Sequence, residues 1–175
     1  MTQANKPFAI AIMAAGKGTR MKSENTAKVL HTLAGRSLIM HVLRTAFSTQ
    51  PEQVYPIIGH CAEAVQAHIL DTPAPIDKER LHFVEQQEQL GTGHAVQQGA
   101  GALADFDGDV LILYGDVPFV PAATMQAMID RLNAPDAPAV VVLAFEPDDA
   151  QQYGRVITEG DRVTKMVEHK DATDA

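Results

Sequence analysis

Short apolar runs that stop abruptly at a polar residue or a glycine constrain the fold of this chain more than any other feature. FAIAIM (8–13), VYPII (54–58), LHFVE (81–85), DVLILYGD (109–116) and PAVVVLAF (138–145) are too short for buried helices. They are also too continuous for strands with one wet face. Between them lie stretches with helical spacing. In 37–49, Ser37 is a good N-cap, and Leu38, Ile39, Val42, Leu43, Ala46 and Phe47 recur on one face. Residues 61–70, 92–104 and 121–133 are expected to be helical too. Gly99 and Gly101 weaken the second of these by up to ~1 kcal/mol each, and Pro121 stands near a first turn, where proline is tolerated. DTPAPIDK (71–78) reads as a surface loop because its prolines oppose regular structure. Strand alternating with helix predicts an α/β fold with a mostly parallel sheet covered on both faces. Pro56 is awkward in such a sheet unless its strand lies at an edge. After residue 150 the style changes. GRVIT and RVTKMVEH, around Glu159-Gly160-Asp161, predict a small hairpin.

At 175 residues the chain suits one domain, or most of one. No apolar run approaches the roughly 20 residues that span a bilayer, and the first residues run straight into a strand without the long apolar core of a signal peptide. The lone cysteine, Cys61, rules out an internal disulfide and a Cys-pair zinc site. A cytoplasmic location is the expectation. The net charge of -8 argues against nucleic acid or an anionic membrane as partner. The charge is uneven, however. Residues 6–36 carry Lys6, Lys17, Arg20, Lys22, Lys28 and Arg36 against Glu24 alone. Such an island in an acidic protein suits a small anionic ligand, and equally a solvated basic loop.

Three segments carry candidate chemistry, and each lies where a parallel sheet binds its ligands, beyond the carboxyl ends of the strands. The first is MAAGKGTRMKSENTAKVL (13–30), which holds two glycines, four cations and one acid. It is neither a full dinucleotide fingerprint, since Met21 takes the third glycine's position, nor a Walker A loop. Ala14 and Ala15 are too small to block a base or sugar lying on the backbone. Gly16 and Gly18 let N–H groups face a phosphate, and Arg20 and Lys28 supply charge-assisted bonds to its oxygens. A merely flexible loop is the rival reading. The second segment is the YGD that closes the 109–116 run. Asp116 there is a suitable Mg²⁺ handle, since that ion uses one or two carboxylates and keeps its waters and phosphates; a turn-capping Asp and a phospho-accepting Asp are the rivals. The third is EQQEQLGTGHAV (85–96). Gln86 offers an amide that can read a base, while Gly91, Thr92 and Gly93 permit close backbone approach. The rival is a glycine-rich helix start with solvated glutamines. The seven histidines show no metal-ligand spacing.

Taken in order, MAAGKGTRM, the Lys28 of AKVLH, QLGTGHA, LYGDVP, YGRV and VEHKDAT resemble the uridylyltransferase domain of the bacterial bifunctional N-acetylglucosamine-1-phosphate uridylyltransferase / glucosamine-1-phosphate acetyltransferases, over about residues 8–174. The resemblance implies a Rossmann-like nucleotidyltransferase, a three-layer sandwich. It would make UDP-N-acetylglucosamine and pyrophosphate from UTP and N-acetylglucosamine 1-phosphate with Mg²⁺, for cell-wall precursor synthesis. It further implies that Met13, Ala14, Ala15 and Gly16 line the uridine and phosphate site. Arg20 and Lys28 would lie on the phosphates, and Gln86, Gly91 and Thr92 at the uracil. Tyr114, Gly115 and Asp116 would meet the nucleotide sugar, with Asp116 on the metal, and Gly154 and Glu168 the N-acetylglucosamine part. Two departures stand out: Thr26-Ala27 replaces the usual Leu-Pro before Lys28, and Met13 replaces Leu. The pattern's second metal ligand and a further sugar contact, both asparagines, are expected beyond Ala175. So is the acetyltransferase part, a left-handed β-helix that builds a homotrimer. A related transferase of other specificity and a non-catalytic nucleotide-sugar sensor are the alternatives.

Overall fold

The computed structural model describes residues 6–16, 26–88 and 90–171. It divides into two compact units, after Ala139. The first is built on a four-stranded sheet in the order β5-β4-β1-β6, every pairing parallel. Its strands are β1 (Phe8–Met13), β4 (Gln53–Ile58), β5 (Val84–Glu85) and β6 (Asp109–Tyr114). Thr32–Leu33 (β2) and Arg36–Ser37 (β3) make a tiny antiparallel hairpin that the sequence reading did not anticipate. Its turn residues, Ala34 and Gly35, both have positive φ, 51° and 77°, the geometry that matches the twist of paired strands.

The expected helices form as α1 (Leu38–Ser48), α2 (Ala62–Asp71), α3 (Thr92–Ala102) and α4 (Ala122–Leu132). They cover the sheet unequally, and β1 shows why. Its large side chains, Ile10 and Ile12, share a cluster with Ile39, Met40 and Leu43 of α1, Val65 and Ile69 of α2, and Met125 of α4. Its small Ala11 faces the other way, with Ile57 and with Ala95 of α3. Small residues on that side let α3 come close. A Cβ on Gly99 would stand 2.9 Å from Ile57 Cδ1, so the glycine that weakens the helix by propensity is the one that seats it. Burying Ile10 and Ile12 completely is worth about 1.5–3 kcal/mol each.

Four expectations need correction. Pro56 lies in β4, an interior strand paired on both sides. The carbonyls of Val54 and Ile58 accept from His82 and Gln86, on the β5 side. Backbone polarity alternates along a strand, so Pro56 faces that side as well. There the register is the same on both sides, Val54 with Leu81 and Ile57 with Val84, and the ladder lapses between them, where Pro56 has no N–H to donate. The same break reduces the expected 81–85 strand to two residues. β6, expected to be buried, is an edge strand with alternate burial, and Val110, Ile112 and Tyr114 are exposed. Finally, 138–145 is not a strand. Val140, Leu143 and Phe145 are exposed, and among the described residues nothing pairs with the run. Its β-branched composition fits a pleated, half-buried surface, which does not form without a neighbour.

The second unit, from Val140, contains the predicted hairpin as β7 (Arg155–Glu159) and β8 (Arg162–Val167). Its turn holds Gly160 at φ +59°. Ser37 does precede α1 but makes no capping bond there; its hydroxyl lies 2.8 Å from His68 Nε2 on α2.

Two glycines give a direct test of this packing. A Cβ on Gly108 would meet the Pro7 carbonyl at 2.3 Å, where β6 begins beside β1, whereas one on Gly101 of α3 meets nothing within 4 Å. Urea denaturation should show Gly108→Ala destabilised by at least about 1–3 kcal/mol, and Gly101→Ala unchanged or stabilised by up to ~1 kcal/mol.

Candidate active site

The carboxyl ends of β1, β4, β5 and β6 meet through backbone bonds that continue past the strands. Ala14 N donates to Ile57 O (2.8 Å), His60 N to Ala15 O (3.2 Å), Gly115 N to Met13 O (2.9 Å) and Gln86 N to Ile58 O (2.7 Å). Met13, Ala14, Ala15, Gln86 and Gly115 are therefore fixed to one another by main chain. Gly16, exposed, and Tyr114, half-exposed, continue from the same ends. Arg20 lies outside the described residues.

The smallness of Ala15 also serves the packing of the protein itself. Ala14 and Ala15 are both buried, and a Cβ on Gly59 would stand 2.9 Å from Ala15 Cβ and 3.0 Å from Gln86 O. The Ala15 methyl is packed on the turn after β4, and its smallness permits that approach. Gly59 is thus a site-building residue the sequence reading missed; GH after an apolar strand was the available signal. Gly115 is similarly enclosed, its virtual Cβ 3.1 Å from Met13 O and from Ile39 Cδ1.

Lys28 opens a short 3₁₀ turn, Lys28–Leu30, anchored by the buried Val29. The residue before it, Ala27, is wholly buried at φ −60°, ψ 136°. Proline fixes the same φ, so the backbone keeps the conformation despite the Ala27 departure. The turn delivers Lys28 Nζ to Asp116 Oδ2 at 2.7 Å, across 88 residues of sequence. The two side chains are 40% and 28% exposed. A pair this wet contributes at most about 1 kcal/mol, and both partners can exchange to other ions. Among the described residues no cluster of three or more His, Cys, Asp or Glu could hold a metal by itself. Asp116 is a single hard oxygen donor, which fits a Mg²⁺ held mainly by water and phosphate.

Gln86 is the opposite case, a polar side chain only 3% exposed. Its Nε2 donates to the Gly91 carbonyl (3.2 Å) and stands 3.0 Å from His94 Nδ1. Gly91 has φ +104°, a conformation that favours glycine. Thr92 begins α3 directly after it, so Gln86, Gly91 and Thr92 form one corner. Gly154 and Glu168 belong to the second unit. They face each other across the open end of the hairpin, where a Cβ on Gly154 would lie 3.1 Å from Val167 O and 3.9 Å from Glu168 Cα.

Residues 10–155 match the family described as the MobA-like NTP transferase domain. This chain belongs to that family. Among curated relatives it is 58% identical, over 171 residues, to the bifunctional protein GlmU of Sphingopyxis alaskensis, covering 98% of this chain and 36% of the relative. It is 46% identical to the GlmU of Zymomonas mobilis, covering 98% and 37%. The chain thus spans a little over a third of the length of these relatives. Among solved structures, UDP-glucose pyrophosphorylase complexed with UDP-glucose aligns with TM-score 0.73 at 18% identity, over 95% of this chain and 71% of that one. A 4-diphosphocytidyl-2C-methyl-D-erythritol synthase from Anaerococcus prevotii aligns with TM-score 0.64 at 18% identity, over 95% and 67%. At such identities these establish the fold, an α/β nucleotidyltransferase. No described helix is long and apolar enough to cross a membrane.

The geometry separates residues packed into this candidate site from those exposed at it. Gly59→Ala should cost about 1–3 kcal/mol of stability by forcing Ala15 and Gln86 apart. Lys28→Met should cost under about 1 kcal/mol. Thermal and urea unfolding of both variants checks the contrast.

Proposed function

We propose that this chain performs the uridylyl-transfer step that its motifs resemble. UMP passes from UTP to N-acetylglucosamine 1-phosphate, giving UDP-N-acetylglucosamine and pyrophosphate, with Mg²⁺ as the metal, in the cytoplasm. In the intact protein, a further acetyltransferase domain would assemble the homotrimer. The observation that carries this reading is the meeting of Lys28 and Asp116, a phosphate-seeking cation and a metal-seeking carboxylate, at the sheet end that also holds the Gln86 amide. The GlmU-named relatives support the same direction.

The chemistry follows from charge. A phosphate monoester has a second pKa near ~6 and is largely dianionic at neutral pH, so the sugar phosphate needs no general base. One of its oxygens attacks the α-phosphorus in line. The bond from that phosphorus to the bridging oxygen breaks, and pyrophosphate leaves with the electron pair. The task left to the protein is to bring anions together and to stabilise the charge on the group in flight. Lys28 and Arg20 serve it by binding phosphate oxygens, and Gln86 with the Gly91 corner orients the base. Bound at Asp116, Mg²⁺ would neutralise triphosphate charge. Gly154 and Glu168 would contact the acetylated sugar.

Pyrophosphate release from UTP, N-acetylglucosamine 1-phosphate and Mg²⁺ tests the proposal. Asp116→Asn should lower it roughly 10²-fold or more. Arg20→Ala should lower kcat more than it raises KM for the sugar phosphate, since its contact matters most to the transferring group. UTP binding without pyrophosphate release in the wild-type protein would leave a sensor rather than an enzyme.

A further inference from the structure

The Gln86 amide has two hydrogens, and two neighbours compete for them. The Gly91 carbonyl, 3.2 Å away, can only accept, so the nitrogen end of the amide must be the end that faces it. That same nitrogen lies 3.0 Å from His94 Nδ1. With one hydrogen directed to Gly91, the other meets Nδ1, which must therefore carry a lone pair. A neutral imidazole with Nδ1 bare holds its proton on Nε2. The Nε2 proton has a taker in the Gln98 amide, one turn along α3 and 3.2 Å away. The two ends of that amide exchange by a half-turn, and its oxygen is the end that accepts. The chain Gln86–His94–Gln98 is then satisfied in one direction of hydrogen bonding only. Gln86 Oε1 is what remains, and no described residue donates to it.

We propose that His94 is a positioning residue for base selection. By accepting from Gln86 it holds the amide with both hydrogens turned inward, and the carbonyl oxygen is all that is left to meet a base. A base with a ring N–H at the contacted edge, as in uracil, satisfies that oxygen. Cytosine, whose ring N3 is an acceptor, sets two lone pairs against each other. Once a bound base covers Gln86 Oε1, an unmatched oxygen there is costly, and a flip of the amide to suit cytosine would break both inward bonds. The inference rests on the reading above that Gln86 meets the nucleotide base.

The test compares kcat/KM for UTP and CTP in the intact protein. The wild type should favour UTP. His94→Gln, which can still reach Gln98 but offers no acceptor at the Nδ1 position, should lower the UTP-over-CTP ratio by roughly three- to ten-fold. His94→Asn, whose side-chain oxygen can stand where Nδ1 stands, should keep most of it. A merely structural His94 would move overall activity and leave the ratio alone, and an unchanged ratio in a folded His94→Gln overturns the proposal. ¹⁵N NMR of the histidine ring, which needs no activity, should find Nδ1 bare and Nε2 protonated, and the opposite tautomer overturns the proposal directly. A wild type that uses CTP as well as UTP overturns the proposal while leaving nucleotidyl transfer intact. A protein that transfers no nucleotide at all defeats the function proposed above instead, and the ring-nitrogen measurement then decides the role of His94.

Discussion

β1 is bonded along its length on both sides, to β4 through Ala9–Met13 and to β6 through Phe8–Met13, and the bonding continues past its last residue. Because Ala14 donates to Ile57 and Gly115 donates to Met13, the three strand ends cannot shift relative to one another without breaking main-chain bonds. Of the described candidate residues, Met13 to Gly16 continue β1, Tyr114 to Asp116 continue β6, and Gln86 bonds to the end of β4. That is the physical content of the rule that parallel sheets bind ligands at their carboxyl ends: the sheet supplies a rigid rim, and short loops leaving it need little length to bring distant residues together. Lys28 and Asp116 are 88 residues apart in sequence and one hydrogen bond apart in space.

The forces that hold this rim are not those that act on a ligand. Ile10, Ile12, Ile39, Leu43, Val54 and Ile69 are fully buried, and each is worth more than the whole Lys28–Asp116 pair. Stability is carried by the apolar cluster between the sheet and α1, α2 and α4. On the opposite face it depends on fit rather than bulk, because Ala11, Ala95 and Gly99 let α3 lie close to the sheet. Close approach matters there for a second reason. α3 carries Thr92, His94 and Gln98, and its distance from the sheet sets where the Gln86 corner stands.

Much of this was legible in the sequence where one signal dominated. The continuous run at 8–13 and the spacing within 37–49 gave β1 and α1 nearly to the residue, since burial on both faces and on one face leave different patterns. Glu159-Gly160-Asp161 fixed the hairpin turn, because few other residues take φ +59°. What failed were inferences needing a partner the local pattern does not name. The Val-rich run at 138–145 has the composition of a strand and no ladder. Pro56 looked unfit for an interior strand, and it does interrupt the ladder on the β5 side, but pairing resumes in the same register at Val84. For the site, Asp116, Lys28 and Gln86 could be named from their positions after strands, but their mutual geometry could not. Gly59 and His94 were missed because their roles are contacts: one clears room for Ala15, the other fills the hydrogen-bonding capacity of Gln86.

The two polar features at the rim differ in a way that suits two different tasks. Lys28 and Asp116 are partly wet, and an ion pair in water is easily traded for another of similar charge. This is what a group must do if it is to accept phosphate or metal in one step and release it in the next. The Gln86 amide is nearly dry and doubly bonded at its nitrogen, so reorienting it strands buried hydrogen-bonding groups. A fixed amide can discriminate between bases because it does not adapt, whereas exposed charges bind any polyphosphate because they do. Exchange at one end of the site and rigidity at the other follow the difference in burial between an exposed ion pair and an enclosed amide.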